Sequence, residues 1–111
     1  MPGLHGKIMP SIYRVVHTAS LQLSERTQNQ LELSEFTYNI EFDVKMENPL
    51  EAVTAKTCTQ LVTDILESDV RVKQLDFDSL VELTIALYRH ESEYYKSQYF
   101  FKEVCDALLC V

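Results

Sequence analysis

The side chains best suited to hold a soft or borderline metal ion in this chain are His5, His17, His90, Cys58, Cys105 and Cys110. Structural zinc sites draw their ligands in close pairs, Cys-x2-Cys or His-x3-His, because a short loop brings two donors together at little entropic cost. None of the six residues has such a neighbour. Cys105 and Cys110 stand five apart near the end of a helical pattern and point in different directions, so core or surface thiols are the better reading. Asp76 and Asp78 open like a calcium loop, but the glycine and the ligand spacing are missing. For covalent catalysis, His17 on a sheet face and Cys58 on the helix covering it could approach each other. A histidine among aromatic neighbours is more often a satisfied core side chain than a base. The 17 carboxylates are scattered along solvated faces rather than paired within apolar runs. No catalytic residue, no metal site and no enzyme activity are expected.

Glycine narrows the field further. Only Gly3 and Gly6 are present, whereas a phosphate-cradling loop, a dinucleotide fingerprint or a nucleophile elbow each needs glycine where the backbone takes positive φ or approaches a ligand closely. From residue 7 onward none of these motifs can occur, so no cofactor is expected. The net charge of -7 opposes phosphate binding, so nucleic acid is an unfavourable direct partner. Nowhere is there a run of about 18 apolar residues, and no membrane partner is expected. Three cysteines cannot all pair within one chain, and no charged segment followed by an apolar one opens the sequence. An intracellular, cytoplasmic location is the simplest reading, with the nucleus not excluded.

Asp78-Ser79-Leu80 followed by Val81-Glu82-Leu83 resembles the acyl carrier protein signature, in which a serine at a helix start carries phosphopantetheine. The likeness covers some ten residues of 111. It departs from the family where Val-Glu-Leu follows about half a turn too early, and the family's all-helical bundle has no place for alternating strands. A serine N-cap with a glutamate three residues on, a capping box, accounts for the same residues, and the family's function is not carried over.

The elements that would position any site begin with an irregular arm at residues 1–10, which hold both glycines and two of three prolines. Residues 11–111 then form a single domain. Ser11 to Glu25 fits a helix through Ile12, Val15, Val16, Ala19 and Leu23. It fits a strand more strictly, because Tyr13, Val15, His17, Ala19, Leu21 and Leu23 alternate without a break. A polar connector, Ser24 to Gln30, leads to the alternating strand Phe36, Tyr38, Ile40, Phe42, Val44, Met46. A hairpin joins the two, and a one-residue bulge near Ser34-Glu35 would set Tyr38 across from His17, Ile40 from Val15 and Phe42 from Tyr13. Asn48-Pro49-Leu50-Glu51 reads as the capped start of a helix running to Ser68-Asp69, with Leu50, Val53, Cys58, Leu61, Val62 and Ile65 on one stripe. Val70-Arg71-Val72 is a candidate third strand. From Ser79 a helix follows with Leu80, Leu83, Leu87 and Glu91 inward and Ile85 and Tyr88 alongside. A break is expected around Ser92 or Ser97, with one unbroken helix to Leu109 as the alternative. Phe101, Val104, Cys105, Leu108 and Leu109 would mark the last helix. The fold expected is α+β: an antiparallel hairpin or small three-stranded sheet covered on one face by two to three helices, in the order β-β-α-(β)-α-α.

Tyr88, Tyr94, Tyr95, Tyr99, Phe100 and Phe101 place six of the eleven aromatic residues within fourteen positions. At about 100° per residue they cannot share one helical stripe. Phe101 and Tyr94 can face the core while Tyr95, Tyr99 and Phe100 point elsewhere. Tyrosine combines an apolar body with a polar tip and is enriched where protein surfaces meet. Tyr88, Tyr95, Tyr99 and Phe100 are therefore the candidate partner-binding residues. The function expected is a non-enzymatic protein-protein interaction module, an adaptor or small subunit of a larger assembly, with homodimerisation through the sheet edge or this helix as one route. The alternative is an acidic inhibitor or immunity-type protein that blocks a basic site on a nuclease or nucleic-acid-binding protein. It would present Glu32, Glu35, Glu41, Asp43 and Glu47.

Overall fold

The computed structural model describes residues 12–45, 52–53 and 58–109. Residues 1–10, read as an arm, and the cap Asn48-Pro49-Leu50-Glu51 lie outside the described residues. The chain runs β1 (Ile12–Leu21), α1 (Glu25–Leu31), β2 (Phe36–Lys45), β3 (Ala52–Val53), α2 (Cys58–Ser68), a 3-10 turn (Val70–Gln74), α3 (Phe77–Tyr94) and α4 (Gln98–Leu109). The fold is α+β, with an antiparallel sheet ordered β1-β2-β3. One face of the sheet is covered. Val15, Ala19 and Leu21 of β1 and Phe36, Tyr38, Ile40, Phe42 and Val44 of β2 are buried beneath the helices, while Arg14, Val16, Thr18, Thr37, Asn39 and Glu41 face out.

The strand register differs from the expectation by two residues. Ala19 lies opposite Tyr38, His17 opposite Ile40, Val15 opposite Phe42 and Tyr13 opposite Val44, through an unbroken ladder from Ile12↔Lys45 to Leu21↔Phe36. No bulge is needed. Odd residues of β1 meet even residues of β2 because the connection from 22 to 35 is a folded segment and not a tight turn.

That segment contains α1, which the polar connector had concealed. Ser24 caps it, its side chain accepting from the Thr27 amide, and Thr27 and Leu31 bury its inner side. Glu32 ends it in the left-handed region at φ 58°, with its N–H on Asn29 and the Leu33 N–H on the Gln28 carbonyl 3.1 Å away. This is a Schellman-type close, made without the usual glycine. Glu82 of α3 completes the start of α1. It accepts from the Ser24 amide at 2.6 Å, the Ser24 hydroxyl at 2.6 Å and the Thr27 hydroxyl at 2.5 Å. Ordinarily the helix's own third residue supplies the carboxylate of a capping box; here it arrives from another helix.

Three further expectations are corrected. Ala52–Val53 pair with Asp43 and Val44 as a short third strand, so Val53 belongs to the sheet and not to the helix expected to run from Asn48, and the described helix α2 spans Cys58–Ser68. Val70–Val72 belong to the 3-10 turn and not to a strand, because Asp69 caps that turn and holds Arg71 in a paired contact. Arg71 in turn lies 4.0 Å over the Phe36 ring and donates to the Thr37 carbonyl. At α3 the cap is Asp76, whose Oδ1 accepts from the Ser79 amide at 2.9 Å. Ser79 is buried inside the first turn, where a phosphopantetheine arm could not reach its hydroxyl.

The Glu82 junction yields a stability prediction. Burial works against the Glu82 charge, but the Ser24 and Thr27 hydrogen bonds outweigh it and hold the carboxyl below its ordinary value. Its stabilisation is thus present above the unfolded value, 4.5, and is lost as pH falls through the lower folded value. Glu82→Ala is expected to cost about 1–3 kcal/mol at neutral pH by urea denaturation. The variant should also lose the acid-side part of the wild-type pH profile that this group produces.

Candidate interaction surface

The break between α3 and α4 is made by Ser97. Its hydroxyl donates to the Tyr94 carbonyl at 2.7 Å and accepts from the Phe100 amide at 3.4 Å, the geometry of an N-cap for α4. Tyr95 closes α3 through its amide on Glu91. One unbroken helix is therefore excluded, and the break falls where the serine allowed it.

Packed under the break is a cluster of rings. Phe42 of β2 lies 5.1 Å from Phe100 and 6.3 Å from both Tyr94 and Tyr95, and Phe100 lies 5.6 Å from Tyr94 and 5.2 Å from Tyr95. Most of these pairs are tilted or edge-on, the arrangement favoured by ring quadrupoles. Phe100 and Val104 are buried and Ala107 partly so, giving α4 an inner stripe at i, i+4 and i+7.

Two polar assemblies are set into this cluster. Glu91 is fully buried, receives the Tyr38 hydroxyl at 2.8 Å on Oε2, and has no partner on Oε1 among the described residues. Burial pushes its carboxyl above the ordinary range, partly offset by Tyr38. Tyr38 and Tyr95 are pushed well above the usual phenol value, first by burial and then by the neighbouring Glu91. Cys58 is raised by the same two causes, so its thiol is poorly suited to be a nucleophile. On the α4 side, Glu103 contacts His17 Nδ1 and accepts from the Tyr94 hydroxyl at 3.0 Å, while the His17 ring stacks on Tyr94 at 4.2 Å. His17 is thus engaged by Tyr94 and Glu103, and Cys58 sits instead by Glu91 and Ser92. The pairing of His17 with Cys58 weighed from sequence is not made. Burial lowers His90, which packs edge-on against Tyr38.

The structure divides the four partner-binding candidates. Phe100 is 6% exposed and belongs to the core. Tyr95 and Tyr88 are half-buried against it, and the Tyr95 hydroxyl is enclosed. Tyr99 is 64% exposed and Phe101, expected to face inward, is 48% exposed. The break resets the helical phase, so that Phe100 takes the inward position and Phe101 the outward one. Tyr99 and Phe101 flank a shallow groove on the outer side of α4 with Gln98, Lys102 and Cys105 between them. Residues two apart on a helix diverge by about 160°, which makes the two rings opposite walls. Lys102 is paired with Asp106, leaving this face close to neutral.

The described acidic residues named for the inhibitor reading each have a local partner. Glu41 and Asp43 lie on the outer sheet face with Arg14 placed 3.7 and 3.6 Å from them. Glu32 closes α1, Glu35 pairs with Gln22, and Glu47 is outside the described residues. Among the described residues no three His, Cys, Asp or Glu side chains gather so as to hold a metal ion, and no helix is long and apolar enough to cross a membrane. No family model, no curated protein and no solved structure matches this chain.

Proposed function

We propose that this chain is a protein-protein interaction module, an adaptor or small subunit, that engages its partner through the outer side of α4. The observation that carries the reading is the pair of solvent-facing rings, Tyr99 and Phe101, on a helix whose other side is fixed by Phe100 and Val104. A platform held by core aromatics loses little conformational entropy on binding, and its rings supply large apolar area. Half-buried Tyr95, its ring 5.2 Å from Phe100, supports that platform from beneath.

The test compares recovery of partners from the native source by the wild-type chain and by Tyr99→Ala/Phe101→Ala. The double variant is expected to lose specific partners by about thirtyfold in affinity, the usual consequence of removing a hot spot of about 2 kcal/mol. Its circular dichroism and melting should match wild type. Recovery should change little between low and high salt, because the Lys102–Asp106 pair leaves the face nearly neutral. Steeply salt-dependent recovery, unaffected by the two alanines, would favour the acidic inhibitor reading instead.

A further inference from the structure

A second apolar face lies on the N-terminal half of α3, on a different helix from the α4 groove. Phe77, Val81 and Ile85 follow at four-residue steps and are 76%, 39% and 51% exposed. Arg89 continues the row, which is a ridge of the kind that packs between ridges of another helix. The core does not need it, since Leu83, Leu87 and Glu91 on the other side of α3 are fully buried. Beside the ridge runs a groove floored by Glu82 and Ala86 and walled by Gln22 and Leu23.

The two ends of this face differ in charge. Near Phe77, Asp76 and Asp78 share the single guanidinium of Arg26, which leaves that end negative. At the other end Arg89 is exposed and has no ion-pair partner among the described residues. Eleven residues separate Asp78 from Arg89, roughly 16 Å along the helix axis.

We propose that the occupant of this face is a second copy of the chain, with α3 antiparallel to α3 about a two-fold axis between Val81 and Ile85. That arrangement sets each Arg89 beside the Asp78 carboxylate and the Phe77 ring of the other copy, twice by symmetry. Val81 of each copy meets Ile85 of the other. A parallel pairing would set aspartate against aspartate and arginine against arginine. Three apolar side chains from each copy fall short of the roughly 800 Å² per partner of a standard interface, so the dissociation constant should be on the order of 10 μM. The α4 groove is not used in this contact.

Sedimentation equilibrium of the full chain from about 1 to 500 μM reads the assembly directly. The wild type should pass from monomer to dimer across that range. Ile85→Asp, at an exposed position, should weaken association about thirtyfold or more with an unchanged dichroism spectrum. Asp78→Arg and Arg89→Asp should each weaken it alone. Mixed in equal amounts, the two variants should associate nearly as well as wild type, because every cross-contact is again arginine against carboxylate. A monomer throughout the range overturns the proposal. So does a dimer indifferent to Ile85→Asp, a mixture no tighter than its components, or a dimer abolished by Tyr99→Ala.

Discussion

Replacing Glu91 with glutamine is expected to flatten the dependence of folding stability on pH above about 4.5. The carboxyl is wholly removed from solvent and, among the described residues, has one hydrogen bond from Tyr38 and one oxygen unpaired. Burial raises its proton affinity in the folded chain above the unfolded value of 4.5. A group raised in this way contributes fully below the unfolded value, and its contribution is lost as pH rises through the folded value. Wild-type stability should therefore fall as pH climbs from about 4.5, while Glu91→Gln, which cannot ionise, should not follow. The variant should gain on the wild type as pH rises above about 4.5, read by thermal melts at a series of pH values. Parallel profiles for the two proteins would show that Glu91 does not carry the effect. Tyr38→Phe, which removes the one donor, should make the wild-type slope steeper and cost about 1–3 kcal/mol.

Glu91 and Glu82 thus act with opposite signs from the same helix. Glu82 receives three hydrogen bonds at a helix start and stabilises as an anion; Glu91 receives one in the core and is disfavoured as an anion. Their combined effect is a stability maximum between the loss of the Glu82 contribution on the acid side and of the Glu91 contribution above it. The pH scale alone separates the two in single variants.

Local periodicity carried the helical assignments that needed no distant partner. Leu83, Leu87 and Glu91 lie inward as their spacing required, and the alternation of β1 and β2 identified both strands and their buried face. What periodicity missed depended on residues far away in sequence. Helix α1 has no glutamate at its own third position; the carboxylate that completes its cap is Glu82, 58 residues on from Ser24. Without that partner Ser24 to Gln30 reads as a polar turn. Once α1 is a turn, the strands are joined too tightly, and the register comes out two residues away from the observed ladder. Spacing along α3 places Glu91 on the inner face by itself, whereas Tyr38, its donor, comes opposite Ala19 and not His17 only through the folded connection.

The α4 surface shows the same limit at shorter range, and it supplies the sharpest mutational contrast. A helix continued without interruption from Leu87, Glu91 and Tyr94 brings Phe101 inward. Ser97 interrupts it, and Phe100 takes that place. Phe100→Ala removes a ring that sits 5.1 Å from Phe42 and close to Tyr94 and Tyr95, at a site with little freedom to collapse. The expected cost is about 3–5 kcal/mol, the range for truncating a buried phenylalanine. Amide exchange in α4 should quicken more than in β1 and β2, because the lost ring is what α4 contributes to the shared cluster. Phe101→Ala, half-exposed on the outer side, should stay within about 0.5 kcal/mol of wild type. Equilibrium urea denaturation of the two variants decides between the faces. If Phe101→Ala proved the costly substitution and Phe100→Ala the neutral one, α4 would be turned about its axis, and Tyr99 and Phe101 could no longer form the walls of one groove.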